Sequence, residues 1–495
     1  MNRRDFLALV SSGVAAGTTV SALALPEGHT ASGNFRKRHR RPNVILMICD
    51  DLGYGDLGCY GSHLPTPHLD AMAAEGLRCT RFNAAHPICS ASRAGLLTGR
   101  YGTRSHTTGA FGPHSLYGTS LDETLLSNLF HDAGYKTKAI GKWHLGDKPE
   151  YLPTNRGFDS FYGVPYSVDM KPLPLIRDTT ILEQDTDRKE LTPRYTKEAT
   201  HYIEQQGNEP FFLYMAFSYP HDPARASERF AGKTRFGNVG DAIAEIDWSV
   251  SEVMKAVHRK GFADDTLIIF TSDHGPWYQG CPGALRGRKA STFEGGFRVP
   301  FLAKWPGVIT GGTLIDEWCS NLDVLPTLCT VCGLKLPPKP LDGSDRAEVL
   351  LEGKRASEQK PILYFSPMGD RGIDIHCIRR QDWKLRVAQG IAGEIYINDR
   401  STASRKSAWL ARPELYNVVL DPGESYDVAD LHPDIVQQLM HDLEIMMPTF
   451  PPQVVEAYAT LKSNVGAVST PPGASPRPPH KNEPGWSWEP RDRRG

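Results

Sequence analysis

Four apolar runs in the sequence end abruptly in polar, ionisable residues. They occupy positions 44–49, 135–140, 211–217 and 267–270. Runs of this length and composition are typical of strands in a buried sheet. Stretches of helical character, such as 120–133 and 240–259, lie between them. Strands that alternate with helices predict an α/β fold with a mostly parallel sheet.

The ionisable residues that follow these runs form the first candidate site. In chain order they are Asp50 and Asp51, Lys142 and His144, His221, and Asp273 and His274. Ligands of parallel α/β sheets bind at the carboxyl ends of the strands, so we expect these side chains to converge there. Adjacent carboxylates repel each other unless a cation lies between them, and a divalent metal would supply it. The alternative is a turn that exposes both aspartates to solvent.

A second candidate lies at 89–100, where Cys89 precedes a helix-like run. A helix that begins there places Cys89 on its first turn, where free backbone N–H groups and the helix dipole favour an anion. Arg93 follows four residues later and therefore lies on the same helix face. This arrangement suits a nucleophile that attacks or holds an oxyanion. The alternative is that Cys89 is a small buried hydrophobic residue.

The segment 285–300 is rich in cations and glycine and has a strand-like exit. Such a segment is suited to bringing Lys289 over an anion. The alternative is a solvated basic loop.

The bulk composition excludes few classes of protein. The chain has 495 residues, of which 56 are Lys or Arg and 57 are Asp or Glu. This balance gives no reason to expect a nucleic acid or another acidic polymer as a partner. The nine cysteines lack the dense spacing of a disulfide scaffold. We interpret Cys329 and Cys332 as structural residues at the end of a packed helix.

The N-terminus has the pattern of a targeting signal. Arg3 and Arg4 open an apolar run that is diluted by glycine and threonine and ends in an Ala-x-Ala site at 22–24. The pattern resembles a twin-arginine export signal at 1–24, which predicts a periplasmic or extracellular protein and the twin-arginine export machinery as a partner. The alternative is a membrane anchor, for which the glycines are poorly suited. A basic linker at 25–41 follows.

The pattern of apolar and polar residues in the sequence changes after about residue 360. We predict a large domain at 42–360, which carries the candidate residues, and a smaller α+β subdomain at 361–450. The smaller unit has strand-like runs at 375–378 and 383–387 and a closing amphipathic helix at 434–447. The segment 451–495 is interpreted as a Pro-rich tail.

Several of these motifs together resemble one family. Cys89-x-Ala91-x-Arg93, followed by Ala-Gly-Leu-Leu-Thr-Gly-Arg, resembles the signature of the type I sulfatases. The Gly-Lys-x-His element at 141–144, the Pro-His-x-Pro histidine His221, and Lys289 ahead of Glu-Gly-Gly-x-Arg-Val-Pro are similar to further family motifs and occur in the same order. The resemblance implies an alkaline-phosphatase-like sheet sandwiched by helices, with an antiparallel sheet in the C-terminal subdomain.

The resemblance also implies a chemistry. In that family the cysteine is oxidised after translation to formylglycine, whose hydrate attacks a sulfate monoester. It thus implies a sulfatase for a sulfated carbohydrate or an aryl sulfate, with a formylglycine-forming enzyme as its maturation partner. The implied metal is Ca²⁺, with Mg²⁺ or Mn²⁺ as alternatives. The implied metal ligands are Asp50, Asp51, Cys89 as formylglycine, Asp273 and His274.

The remaining residues take the roles that the family implies. Lys142 and Lys289 would bind the sulfate oxygens. Arg93 and His144 would hold the formylglycine hydrate. His221 would protonate the departing alcohol, a task for a group that titrates near neutrality.

Two other functions remain open on the sequence. One is a phosphate or phosphonate monoester hydrolase of the same fold, and the other is an anion- or glycan-binding protein in which Cys89 is never matured. The substrate alcohol is also open. Aromatic residues that would stack on a sugar or an aryl group, or would instead belong to the core, are Tyr151, Tyr162, Tyr166, Tyr219 and Trp277.

Overall fold

The computed structural model describes residues 41–354, 360–367, 372–390 and 407–465. The predicted signal at 1–24 and all but the last residue of the predicted linker lie outside these ranges. The strands are β1 (Asn43–Asp50), β2 (Leu77–Cys79), β3 (Phe82–Asn83), β4 (Lys136–Lys142), β5 (Ser160–Val164), β6 (Leu175–Arg177), β7 (Thr180–Glu183), β8 (Phe211–Pro220), β9 (Thr266–Ser272), β10 (Phe301–Lys304), β11 (Thr313–Ile315), β12 (Cys319–Ser320), β13 (Ile362–Ser366), β14 (Asp374–Arg380), β15 (Trp383–Gly390) and β16 (Ser407–Asn417).

The α-helices include two long ones that pack against each other on the large sheet, α4 and α5. In chain order the helices are α1 (Pro67–Glu75), α2 (Cys89–Thr98), α3 (Leu126–Asp132), α4 (Leu191–Gln205), α5 (Gly237–Arg259), α6 (Glu294–Phe297), α7 (Val324–Cys332), α8 (Ala347–Glu352), α9 (Pro433–Met446) and α10 (Pro452–Ser463). None of these helices is long and apolar enough to cross a bilayer.

The large sheet has the strand order β11-β2-β10-β9-β1-β8-β4-β5-β6-β7. Its centre, from β9 through β1, β8 and β4 to β5, is parallel throughout. The pairs of β10 with β9 and β2, and of β6 with β5 and β7, are antiparallel. The predicted mostly parallel α/β sheet is thereby confirmed, and all four apolar runs are strands. The predicted helix at 120–133 is shorter than expected, because the regular helix α3 begins only at Leu126.

The register of the central strands brings their polar ends level. Along β1 every residue from Val44 to Cys49 is fully buried, as expected for a strand covered on both faces. Cys49 lies opposite Ser272, and Asp50 lies opposite Pro220. The residues that follow, Asp273 on one side and His221 on the other, therefore emerge beside the two aspartates.

A close approach between β4 and β8 requires glycine at position 141. Gly141 has φ +100°, and a Cβ atom there would collide with the carbonyl oxygen of Ala216 on β8. On the other side, a Cβ atom on Gly163 of β5 would collide with the carbonyl oxygen of Gly141. These close backbone contacts with β8 and β5 fix the end of β4, which carries Lys142.

The C-terminal sheet is antiparallel with the order β13-β14-β15-β16, as predicted. Helices α9 and α10 pack on it, and α10 lies in the range 451–495 that was interpreted as a Pro-rich tail. Val454, Tyr458 and Leu461 of α10 recur at helical spacing and are buried in the core of this sheet. These apolar contacts stabilise a helix at the start of that range. The tail after 465 lies outside the described residues.

We expect Gly141→Ala to destabilise the protein strongly. Alanine at a positive φ and against a neighbouring backbone should lower the free energy of unfolding by about 2–5 kcal/mol. Gly134→Ala is the matched control: Gly134 also has a positive φ, +81°, but a Cβ atom there meets nothing within 4 Å. Denaturant unfolding of both variants tests this, and equal losses would contradict the steric argument.

Candidate active site

Cys89 is the first residue of helix α2, as the sequence predicted. Ile88 precedes the helix in an extended conformation, and Gly99 ends it in the left-handed region. Cys89 is 2% exposed. Its side chain therefore lies at the positive end of the helix dipole, beneath the protein surface.

The three predicted carboxylates converge beside Cys89. The backbone N–H of Asp51 donates to Oδ1 of Asp273 at 3.2 Å. Arg93 joins the other two, because its Nη2 lies 3.4 Å from Asp50 Oδ1 and 3.0 Å from Asp273 Oδ2. All three carboxylates are buried. The expected convergence of residues from two distant parts of the chain is therefore confirmed.

Arg93 contacts more of the site than the two carboxylates. Its Nη1 also donates to the carbonyl oxygen of Lys142 at 3.0 Å. The guanidinium thus fixes Asp50, Asp273 and the end of β4 in one arrangement. The contact with the modified side chain at position 89, which the family resemblance implied, stays a prediction.

The two predicted lysines each pair with one aspartate. Lys142 Nζ lies 2.5 Å from Asp50 Oδ2, and Lys289 Nζ lies 2.8 Å from Asp51 Oδ1 and 3.0 Å from Oδ2. Lys142 is fully buried, and the Lys289 side chain is 11% exposed. Because Asp51 has φ +65°, its carboxylate turns away from the strand direction and meets Lys289 across the site.

The donor set fits a divalent metal ion. Ligand atoms of Asp50, Asp51, Cys89 and His274 all lie within 4.8 Å of one another. Asp50 Oδ1 is buried and accepts no hydrogen bond from the described residues; its contact with Arg93 is an ion pair at 3.4 Å, so it retains lone pairs for a metal. Carboxylate oxygens in such a cluster are the ligands that hard divalent cations prefer. Asp273 borders the cluster, but its oxygens already accept hydrogen bonds from Arg93 and from two backbone N–H groups.

His274 faces the cluster through Nε2. That atom lies 3.4 Å from Asp51 Oδ1, 3.6 Å from Asp273 Oδ1 and 3.3 Å from Cys89 Sγ. Nδ1 donates to the carbonyl oxygen of Gly275 at 2.9 Å, which fixes the ring and leaves Nε2 as the atom that serves a metal. Burial alone would lower the pKa of His274, but the Asp273 carboxylate and the Cys89 side chain raise it to about 9, so a metal that binds Nε2 would displace a proton from it.

His144 is held in the neutral form. Burial and the nearby charge of Lys142 lower its pKa to about 4. Nε2 lies 2.8 Å from the carbonyl oxygen of Phe111, which can only accept, so Nε2 carries the proton. Nδ1 is then a free acceptor on the side of Cys89, whose side chain also raises the pKa of the ring. Like Asp51, His144 lies in the turn after a strand, two residues beyond the end of β4, and has a positive φ, +61°.

His221 is held in the protonated form more readily than usual. Burial alone would lower its pKa, but the Asp51 carboxylate, with Oδ2 at 3.9 Å from Nε2, raises it above the ordinary value. Nδ1 donates to the carbonyl oxygen of Asp222 at 2.6 Å. Because that oxygen only accepts, the second proton of the ring is carried on Nε2, towards the site.

Cys89 itself lies among cations. Burial alone would raise the pKa of its thiol, but Lys142, Lys289 and His274 together lower it well below the ordinary value. A side chain that carries negative charge is therefore stabilised at this position.

One residue of the site was missed by the sequence analysis. Ser167 is fully buried, accepts a hydrogen bond from Lys142 Nζ at 3.2 Å, and lies 3.3 Å from His221 Nε2. It follows the end of β5 by three residues, so its position after a strand is the one sequence signal that it gives, and as a serine it is not among the ionisable residues that located the other candidates.

The fold and the site together define a class of protein. A mostly parallel sheet with a carboxylate cluster at its carboxyl edge, and an antiparallel C-terminal sheet, are typical of the alkaline-phosphatase-like hydrolases. Comparisons with known proteins narrow the class. The sulfatase family model matches residues 42–334, and the model for the N-sulphoglucosamine sulphohydrolase C-terminal region matches residues 288–390.

Individual proteins agree with the family models. Arylsulfatase A of Homo sapiens is 35% identical over 485 residues, which cover 89% of this chain and 94% of that protein. N-acetylgalactosamine-6-sulfatase of Homo sapiens is 38% identical, over 66% of this chain and 68% of that protein. The crystal structure of the PsFucS1 sulfatase from Pseudoalteromonas sp. matches with a TM-score of 0.74 and 27% identity, over 86% and 93% of the two chains. The chain belongs to the sulfatase family and is a sulfuric ester hydrolase.

A hydrolase of another activity shares the fold. The phosphonate monoester hydrolase of Agrobacterium radiobacter matches with a TM-score of 0.58 and 21% identity, over 82% of this chain and 95% of that chain. At this identity the likeness concerns the fold alone.

We expect a divalent cation to raise the melting temperature, because it binds the carboxylate cluster only in the folded protein. At a hundredfold excess over Kd the stabilisation is about 2.7 kcal/mol. Thermal unfolding with and without Ca²⁺, Mg²⁺ or Mn²⁺, after treatment with a chelator, measures it. Asp50→Asn should remove the response, whereas Asp222→Asn, at an exposed carboxylate beside the site, should retain it. An equal response in both variants would show that the cation binds elsewhere.

Proposed function

We propose that this chain hydrolyses the sulfate monoester of a sugar or an aryl alcohol, with formylglycine at position 89 as its nucleophile. The observation that carries the proposal is the position of Cys89. It lies at a positive helix end, within 3.3 Å of His274 and beside a carboxylate cluster on which Lys142 and Lys289 converge. Chemistry of this kind consists of placing an anion and stabilising the charge that develops on it.

Ca²⁺ is the proposed metal, with Mg²⁺ and Mn²⁺ as alternatives. Its ligands would be Asp50, Asp51, Asp273, His274 and the modified side chain at position 89. When bound, it supplies Lewis acidity that favours the ionised form of the nucleophile and neutralises sulfate oxygens. The oxygen-rich donor set favours Ca²⁺, and His274 is the one nitrogen donor in it.

Lys142 and Lys289 would bind the sulfate group. Each ammonium group has three donor hydrogens and uses part of them on Asp50 or Asp51, so each retains capacity for a sulfate oxygen. Ser167 keeps Lys142 Nζ oriented into the site. The two lysines pair with different aspartates, Lys142 with Asp50 and Lys289 with Asp51, which suits a tetrahedral anion bound between the two ammonium groups.

His144 would accept a hydrogen bond from the nucleophile, and His221 would donate a proton to the leaving group. Nδ1 of neutral His144 would accept a hydrogen bond from a hydroxyl at position 89 and orient the oxygen that attacks the sulfur atom. As the bond between sulfur and the ester oxygen breaks, that oxygen would take the proton from Nε2 of His221 and leave as the alcohol. The Asp51 carboxylate stabilises protonated His221 for this step.

Maturation and export complete the proposal. A formylglycine-forming enzyme would oxidise Cys89, and the twin-arginine machinery would export the folded protein to the periplasm or beyond. The support is the Cys89-x-Ala91-x-Arg93 motif and the Arg3-Arg4 pattern in the sequence. All nine cysteines are free thiols, so folding before export requires no disulfide.

A cavity next to the site is suited to the alcohol. It has a volume of about 970 Å³ and is lined by residues that include Gly109, Phe111, Leu116, Tyr117 and Tyr151. The carbonyl oxygen of Phe111 bonds His144, and that of Gly109 accepts from the N–H of Ala91, so the cavity wall is tied to the catalytic helix. Among the described lining residues there is no Lys, Arg, Asp or Glu, which favours a neutral sugar or aryl group over a polyanion.

The aromatic residues that the sequence offered as candidates for stacking lie in different places in the structure. Tyr151 lines this cavity. Tyr162, Tyr166 and Tyr219 are buried in the core of the large sheet. Trp277 packs edge-on against Tyr278 and does not belong to the described cavity lining.

Parallel assays of an aryl sulfate and the corresponding aryl phosphate test the reaction. We expect faster turnover of the sulfate ester, and loss of at least a thousandfold in kcat for Cys89→Ala, because the variant lacks the proposed nucleophile. The variant should keep its melting temperature within a few degrees. Peptide mass spectrometry across position 89 confirms maturation of the parent. Faster phosphate turnover, or full activity of Cys89→Ala, would reject the proposal.

Tyr117→Ala tests the cavity. Loss of one stacking ring, worth about 0.5–1.5 kcal/mol, should raise KM for the sulfated sugar or aryl substrate about two- to twelvefold. Tyr426→Ala is the matched control, because Tyr426 is similarly exposed, at 75% against 60% for Tyr117, and lies outside the described lining. Equal KM values for the two variants would place the alcohol elsewhere.

A further inference from the structure

Three charged side chains are buried where the large sheet meets the C-terminal sheet. Glu294 begins α6, Lys384 lies on β15, and Glu424 lies in the turn after β16. Each of them is at most 1% exposed. Burial of charge is costly unless every group is paired, so this cluster needs an explanation.

Lys384 holds the two glutamates together. Its Nζ lies 3.2 Å from Glu294 Oε1 and 2.9 Å from Glu424 Oε1. Burial alone would lower the pKa of Lys384, but the two carboxylates raise it, so it stays charged. Tyr364 on β13 also donates to Glu294 Oε1, at 2.7 Å. The C-terminal sheet thus supplies both partners of Glu294 Oε1, whereas Oε2 pairs with Arg298, four residues further along the chain, at 2.8 Å.

The cluster lies at the base of the loop that carries Lys289. The backbone N–H of Glu294 donates to Glu424 Oε2 at 2.6 Å, and Arg286 Nη1 donates to the carbonyl oxygen of Glu424 at 2.8 Å. The N–H of Gly295 donates to the carbonyl oxygen of Arg286 at 2.7 Å and closes the loop. Both ends of the segment 286–295 are therefore fixed to one carboxylate residue and to each other.

The tip of the same loop lies in the active site. The N–H of Ala290 donates to the carbonyl oxygen of Pro87, two residues before Cys89, and Lys289 Nζ contacts Asp51. Ala290 has φ +67°, an unfavourable conformation that the loop must maintain. A tip in this conformation depends on a rigid base.

We propose that Lys384 is a positioning residue that holds Lys289 in place for the sulfate group. It acts through Glu294 and Glu424, which anchor the base of the 286–295 loop, and it gives the C-terminal sheet a part in the reaction. Without Lys384, Glu294 keeps its ion pair with Arg298 but Glu424 loses its pair with Lys384, so excess negative charge is buried there and the base of the loop opens. Lys289 then loses its fixed position, although no residue that contacts substrate has changed.

Because this inference rests on the proposed sulfatase function, the test measures binding of inorganic sulfate as well as turnover. Four proteins are compared by calorimetry: the parent, Lys384→Met, Lys289→Ala and the double variant. We expect Lys384→Met to weaken sulfate binding and to lower kcat/KM for an aryl sulfate by about 10- to 100-fold. In the Lys289→Ala background the same change should cost less than about twofold, since its target is already absent.

Controls separate positioning from general stability. Arg380→Met removes another ion pair of the C-terminal sheet, between β14 and Asp442 on α9, and should leave sulfate affinity unchanged while it lowers the melting temperature. Glu424→Gln preserves the size of the side chain and serves if Lys384→Met does not fold; it should weaken sulfate binding in the same coupled manner.

The outcomes are distinguishable. Equal losses of affinity from Lys384→Met with and without Lys289 would overturn the positioning role. A parent protein, matured at position 89, that neither binds sulfate nor hydrolyses its esters would instead reject the proposed function itself.

Discussion

The structure depends on the neutralisation of three buried carboxylates. Asp50, Asp51 and Asp273 lie together at the carboxyl edge of the sheet, in a medium where like charges repel strongly. Arg93 spans two of them, and Lys142 and Lys289 pair with one aspartate each. Three permanent cations thus face three carboxylates, and protonated His221 adds a further positive charge. A divalent cation would add more positive charge, which the negative charges of an ionised nucleophile and a sulfate monoester would offset.

The parallel sheet makes this arrangement possible. Adjacent strands β9, β1, β8 and β4 end at one level, so short turns after them deliver residues from four distant parts of the chain. Helix α2 adds Cys89 and Arg93 from the same edge. The left-handed conformations of Asp51 and His144 turn their side chains into the site, and such conformations persist only where the surroundings hold them.

Much of this was predictable from local sequence. Buried strands are recognisable in the sequence as apolar runs, and the residues that follow them are recognisable by their charge. The sequence therefore predicted that Asp50, Asp51, Lys142, His221 and Asp273 lie together. It did not predict which of these side chains form ion pairs with each other, because pairing depends on residues that are distant in sequence. The resemblance implied a contact of Arg93 with position 89, but only the fold reveals its ion pairs with two aspartates that lie 43 and 180 residues away in sequence. Ser167 gave only a weak signal, after a short strand. Helix α10 was not predicted, because the prolines that flank it indicated a Pro-rich tail, although its apolar residues recur at helical spacing.

The contribution of the C-terminal sheet was the least predictable feature. Nothing in the local sequence distinguishes Lys384 and Glu424 from charged residues on a surface, and only the fold buries them against Glu294. In the sequence, Glu294 belongs to the motif that follows Lys289, while its partners lie 90 and 130 residues further on. Both the large sheet and the C-terminal sheet therefore contribute to the geometry of the site, although none of the residues proposed to contact sulfate or metal lies on the C-terminal sheet.

The most direct test of the central claim is a crystal structure of the matured protein with Ca²⁺ and inorganic sulfate. The account predicts one cation bound by Asp50 and Asp51 beside position 89, with sulfate oxygens on Lys142 and Lys289. A cation outside this cluster, or a sulfate ion remote from position 89, would contradict it.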